Sequence, residues 1–80
     1  MYYLYQVVKA NRQVSESVPK GCEGTIVMIY TSPTIGYEVE FVDEFRNTID
    51  IITVKEEDIV PVNNVWLIYY SYRKNQWNTQ

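Results

Sequence analysis

The residues of this 80-residue chain that could do chemistry are ten carboxylates and a single cysteine, with no histidine anywhere. Seven of the carboxylates gather in two places: Glu38 and Glu40 with Asp43 and Glu44, and the run Glu56-Glu57-Asp58. Paired carboxylates serve glycosidic or metal chemistry when they converge on a pocket. Glu38 and Glu40 instead alternate with Tyr37, Val39 and Phe41, which puts both acids on the solvent face of a strand with no basic neighbour in sequence. Without histidine, the commonest general base and metal ligand are missing. Cys22 alone cannot make a zinc site and has no imidazole to activate it, and the adjacent Glu23 works against a reactive thiolate. Gly21 and Gly24 lack the Gly-Lys-Ser/Thr of a phosphate loop and lead into a strand, so they read as a turn. No enzyme, cofactor or metal site is expected.

The charge balance narrows the partners. Seven basic residues stand against ten acidic ones, for a net charge of −3. The basic residues are scattered, with only Arg73 and Lys74 adjacent, which disfavours nucleic acid, because phosphate binding draws on clustered Lys and Arg. An acidic surface suits docking on a basic protein. The lone cysteine fits a reducing cytoplasm, and neither a signal peptide nor a membrane span is expected.

Eighty residues make one domain, and the pattern within it is all-β. Residues 2–10 are aromatic and β-branched and predict a first strand, with Tyr3, Tyr5 and Val7 on one face. Residues 11–20 turn polar and predict a long loop. The run Thr25-Ile26-Val27-Met28-Ile29-Tyr30 is apolar on both faces and predicts a central, buried strand. Ser32, Pro33 and Gly36 mark a turn before the alternating strand 37–41. A tight connection at 43–47 leads to strand 48–54, the two forming a hairpin. Glu56-Glu57-Asp58 suits a single 3₁₀ turn, and Ile59-Val60-Pro61-Val62 a last strand that Pro61 confines to an edge.

This order of elements, with G-x-x-G-T-I-V at 21–27, Y-E-V-E-F-V-D at 37–43, Thr48, Thr53-Val54 and D-I-V-P-V at 58–62, resembles a family of small bacterial proteins known as a domain of unknown function. The resemblance spans roughly residues 3–62 and implies a small SH3-like barrel of about five strands, with no catalytic residues to carry over. The family pattern leads one to expect glycine in the turn after strand 37–41. Arg46 stands there, so either Asn47 takes the left-handed conformation or the turn is of another type.

Residues 63–80 have no counterpart in that pattern. Val65-Trp66-Leu67-Ile68-Tyr69-Tyr70-Ser71-Tyr72 predicts an extra C-terminal strand, packed on or beside the barrel or paired across a homo-oligomer. Eight tyrosines, two tryptophans and two phenylalanines exceed what one small core needs, and aromatic residues dominate binding hot spots. SH3-like barrels present aromatic grooves to extended peptides. Tyr30, Tyr37, Phe45, Trp66, Tyr69 and Tyr70 are the candidate partner-binding residues, Phe45 foremost because it lies in a polar turn between Glu44 and Arg46. The expected function is a non-catalytic protein-interaction module. An acidic inhibitor of a basic toxin, of the antitoxin or immunity type, is the alternative, and an RNA- or ribosome-associated barrel ranks behind both.

Overall fold

The alternation of Tyr37, Val39 and Phe41 with Glu38 and Glu40 decides which side of the sheet becomes the core. A computed structural model of the protein describes residues 1–62. Five strands and one short helical turn follow in order: β1 (Val7–Ala10), β2 (Glu23–Tyr30), β3 (Gly36–Val42), β4 (Thr48–Val54), a 3₁₀ turn (Glu56–Asp58) and β5 (Ile59–Pro61). They form one antiparallel sheet in the order β4-β3-β2-β1-β5, so the chain is all-β as its pattern predicts. The C-terminal strand expected at 65–72 lies outside the described residues. Among the described residues no helix is long and apolar enough to cross a membrane.

Tyr37, Val39 and Phe41 are fully buried and pack with Val8, Ala10, Val18, Ile26, Val54 and Ile59 in one core. The expected inward and outward sets of β3 are those observed. β4 and the 3₁₀ turn keep their predicted bounds, and Pro61 lies on an edge strand.

Three expectations need correction. Strand β2 is not buried on both faces, since Met28 and Tyr30 are exposed. The register slips between Ile26 and Met28: Ile26 pairs with Val39, but Met28 pairs with Glu38 and Ile29 with Tyr37. This bulge at Val27 inserts one residue and reverses the side-chain alternation, so Ile26 and Ile29 both face the core. The apolar run that reads as two buried faces is one buried face carried across a bulge.

The first strand is shorter than expected. Tyr5 has a φ of 66°, and its N–H donates to the Ile26 carbonyl at 2.7 Å while Gln6 N–H turns back to Tyr3 O at 3.1 Å. The left-handed residue bends the chain, so Tyr3 and Tyr5 lie in a turn rather than on a strand face. The two glycines also divide. Gly21 occupies a turn with φ 92°, but Gly24 lies within β2, paired with Phe41. A Cβ on Gly24 would lie 2.6 Å from Val39 Cγ1 and 2.9 Å from the Glu40 carbonyl oxygen, so its role is close approach of β3 rather than turning.

Polar tethers close the ends of this sheet. The buried Tyr37 hydroxyl accepts from the Tyr2 N–H at 3.1 Å and donates to Glu56 Oε1 at 3.0 Å. The Tyr2 ring meets the Tyr37 ring edge-on at 5.5 Å, and its own hydroxyl donates to the Ile59 carbonyl. Asp58, also buried, accepts from Arg12 Nε at 2.8 Å and from the Lys55 N–H at 2.9 Å. The polar loop 11–20 is therefore pinned to the 3₁₀ turn, and it sends Val18 fully into the core.

Gly24→Ala is expected to destabilise the fold by about 1–3 kcal/mol, as overpacking against rigid backbone does, measured by urea denaturation. The hydrogen bond from Arg12, helped by that from Lys55, holds the Asp58 carboxyl below its ordinary range despite the opposing effect of burial. A depressed folded-state pKa adds stability above the unfolded value near ~3.9, lost as pH falls through the lower folded value. Asp58→Asn should flatten the acid limb of stability measured from neutral pH downward.

Candidate functional site

The β3–β4 connection, Asp43-Glu44-Phe45-Arg46-Asn47, presents its side chains on a backbone with little freedom. Asp43 organises it: its Oδ1 accepts the N–H of Phe45 at 2.8 Å and that of Asn47 at 2.9 Å. Main-chain bonds run from Arg46 N–H to Asp43 O at 3.0 Å and from Asp43 N–H to Asn47 O at 2.9 Å. An aspartate that folds the chain back over its own carboxylate makes a turn of defined geometry. The N–H donors, that of Asn47 foremost, hold the Asp43 carboxyl below its ordinary range. Phe45, at the tip, is 75% exposed.

Arg46 itself takes the left-handed conformation, with φ 70°. Neither alternative drawn from the family pattern holds: Asn47 does not take that conformation, and the turn keeps the left-handed position where glycine was expected. A non-glycine residue there costs about 1 kcal/mol or somewhat more. The Arg46 guanidinium reaches Glu23 Oε2 at 3.4 Å, an exposed pair that offsets little of this.

Beside the turn lies an open groove of about 620 Å³, between the end of the β1–β2 loop and the start of the β3–β4 connection. Pro19, Val42 and Ile49 give it apolar surface, with Lys20, Glu23, Asp43, Glu44 and Arg46 around them. Cys22 lines it too and donates from Sγ to the Val42 carbonyl at 3.3 Å. Burial chiefly, with Glu23 and Asp43 adding, pushes this thiol up, which disfavours the thiolate a nucleophile needs. The groove and Phe45 share one turn and form the candidate site.

The other candidate residues do not gather there. Tyr37 is fully buried at the centre of the core, so it is corrected from a partner-binding residue to a structural one; inward phase on β3 placed it there. Burial, with the Glu56 hydrogen bond adding, raises its hydroxyl pKa. Tyr30 is 38% exposed on the outer face of the sheet, at the β2–β3 end of the meander. Its hydroxyl donates to Glu38 Oε2 at 2.8 Å, and Glu38 accepts from Thr53 as well. These two donors, Thr53 first, lower the Glu38 pKa and make this carboxylate part of a hydrogen-bonded strand face. The seven residues of β3, at about 3.3 Å each, separate Tyr30 from Phe45 by roughly 20 Å. Trp66, Tyr69 and Tyr70 lie outside the described residues.

One surface escaped sequence reasoning. Tyr3, Leu4 and Tyr5 are exposed together on the turn before β1, Tyr5 at 69%. Their alternation reads as a strand, and only the left-handed backbone at Tyr5 turns them outward; no residue type announces it.

A family model described as Domain of unknown function (DUF4926) matches residues 4–61. The chain belongs to that family. The matched span takes in every described strand and the β3–β4 turn, and leaves residues 62–80 beyond it. Neither the curated proteins nor the solved structures yield a match. Membership in the DUF4926 family brings no assigned activity, so the site stands on its own geometry.

Arg46→Gly is expected to raise stability by about 0.5–1 kcal/mol by relieving the left-handed strain, net of the lost exposed ion pair, as read from the urea midpoint.

Proposed function

We propose that this chain is a non-catalytic protein-interaction module, built as an SH3-like barrel, that anchors a partner through the Phe45–Arg46 turn and the groove beside it. The carrying observation is Phe45, a large apolar side chain held in water by a turn whose backbone is already hydrogen-bonded. An anchor fixed before binding loses little further freedom when a partner covers it. Arg46 supports the same reading. An arginine kept where glycine fits better is local strain, and such strain concentrates at functional positions. Arginine is also, with aromatic residues, among the side chains that carry most binding energy.

The barrel reading draws on strand order. A long loop follows the first strand, a three-stranded meander follows that, and a 3₁₀ turn returns the chain to pair β5 with β1. The partner we propose is a basic protein met in the cytoplasm. All ten acidic residues precede Val62, while Arg73 and Lys74 follow it, so the matched domain is more acidic than the whole chain. Glu38 and Glu40 on the outer face of β3 and Glu44 on the turn add a field that speeds encounter with a positive surface. Inhibition of a basic toxin is the narrower form of this reading, favoured by the same acidic surface.

The test is affinity capture from the native host with the tagged full-length protein and with Phe45→Ala, bound proteins being identified by mass spectrometry. Recovery of one stoichiometric basic protein by the wild type, with binding weakened about tenfold or more in the variant, is the expected result. Because Phe45 is exposed, its removal should change the urea midpoint by less than about 0.5 kcal/mol equivalent. Equal capture by both proteins would remove the Phe45 turn from the interface, and capture of RNA in place of protein would overturn the reading.

A further inference from the structure

The tip of the β3–β4 turn offers hydrogen-bond acceptors and very few donors. Every backbone N–H and carbonyl needs a partner, in the chain, in water or in a bound molecule. At this turn the N–H groups are taken up by Asp43. Those of Phe45 and Asn47 donate to its Oδ1, and that of Arg46 donates to its carbonyl. The Asn47 carbonyl in turn accepts the Asp43 N–H. The carbonyls between these two, of Glu44, Phe45 and Arg46, accept no bond among the described residues, and the Glu44 N–H is the one tip donor that makes none. Residues 44–47 are all exposed.

The side chains continue the pattern. Glu44 adds a carboxylate, and Phe45, 75% exposed, adds a ring whose faces carry partial negative charge. The one cation of the turn, Arg46, reaches across to Glu23 at the start of β2, at 3.4 Å. The wider field has the same sign, since residues 1–62 hold all ten acidic residues against Lys9, Arg12, Lys20, Arg46 and Lys55. Carbonyls, a carboxylate and a ring face call together for a flat cation rich in donors. Arginine carries that group: its guanidinium is planar and always charged, has five N–H donors, and stacks on aromatic faces. The lysine ammonium is a compact, strongly hydrated point charge that cannot lie flat on a ring.

We propose that the Phe45 tip binds an arginine side chain of the partner, its guanidinium stacked on the Phe45 ring and donating to the Glu44 carboxylate and the tip carbonyls. This rests on the partner reading above and narrows its basic protein to one that presents an arginine. The acceptors stand ready before binding, because Asp43 already fixes the backbone that carries them. Arg46 does not oppose the incoming cation at the ring, since its own charge is directed to Glu23.

The test uses the isotope-labelled full-length protein and two capped tripeptides, acetyl-Gly-Arg-Gly-amide and acetyl-Gly-Lys-Gly-amide, titrated into the millimolar range and followed by NMR. The arginine peptide should shift the Phe45 ring signals and the N–H signals of residues 44–47, and should bind more tightly than the lysine peptide by about threefold or more. Phe45→Leu keeps an apolar side chain and removes the ring, so it should weaken arginine binding about two- to fivefold with an unchanged urea midpoint. Equal binding of the two peptides, shifts that fall elsewhere on the protein, no binding at all, or an unchanged affinity in Phe45→Leu would each overturn the proposal. Partner capture that depends on Phe45, with no preference here for arginine, would overturn this inference alone; capture indifferent to Phe45 would overturn the partner reading.

Discussion

A tyrosine buried to its hydroxyl sets the terms for the rest of this fold. Tyr37 is fully enclosed, and a buried hydroxyl without partners would cost more than one hydrogen bond gains. Its satisfaction requires the main chain at Tyr2 and the carboxylate of Glu56 to meet on one atom. Those groups stand 35 and 19 residues away in sequence, so one hydroxyl joins the chain's start, the middle strand and the turn before β5. Asp58 repeats the device two residues on, tying the β1–β2 loop through Arg12. A core of nine buried apolar residues among those described leaves a small domain little margin, and these polar nodes give it a single arrangement.

The same nodes distribute the sheet's exposed surface. Tyr2 and Glu56, while serving Tyr37, lie beside β5, where the Tyr2 hydroxyl and the Glu56 carbonyl occupy the Ile59 backbone. One edge is thereby finished by the interactions that stabilise the core, whereas β4, at the other, pairs among the described residues with β3 alone. The β3–β4 turn is finished in a different way, by Asp43, so that Phe45 and Arg46 are held outward without any core contact to hold them. Satisfied backbone and an exposed apolar side chain together are what support the proposed partner contact at that turn.

Glu38, Glu40 and Cys22 are the groups whose types could do chemistry, and in the fold each is engaged in hydrogen bonds. Glu38 is bonded to Tyr30 and Thr53, Glu40 accepts from Thr48, and the Cys22 thiol donates to a carbonyl with its pKa pushed up by burial. Each is a polar group in a hydrogen bond on or near a strand, where it satisfies a neighbouring donor or acceptor.

Period-two alternation is local, so the sequence by itself determined the all-β class, the inward set Tyr37, Val39 and Phe41, the bounds of β4, the 3₁₀ turn at Glu56–Asp58 and the edge position of Pro61. Phe45 was legible for the same reason: a phenylalanine among charged turn residues has no strand phase that would bury it. Tyr37 shows the limit on that side, since its inward phase was readable and outweighed its aromatic character as a binding residue. Whatever depended on backbone conformation between elements was decided by tertiary structure. The bulge at Val27, the left-handed Tyr5 and Arg46, and the use of Gly24 for close approach rather than turning all follow from how strands meet. Residue types tolerate those states without encoding them, because a φ sign or a register slip is chosen by the hydrogen bonds and contacts it completes elsewhere. The occupation of the Ile59 backbone on β5 is the furthest such consequence, set by a tyrosine and a glutamate that meet beside Pro61 only in the folded chain.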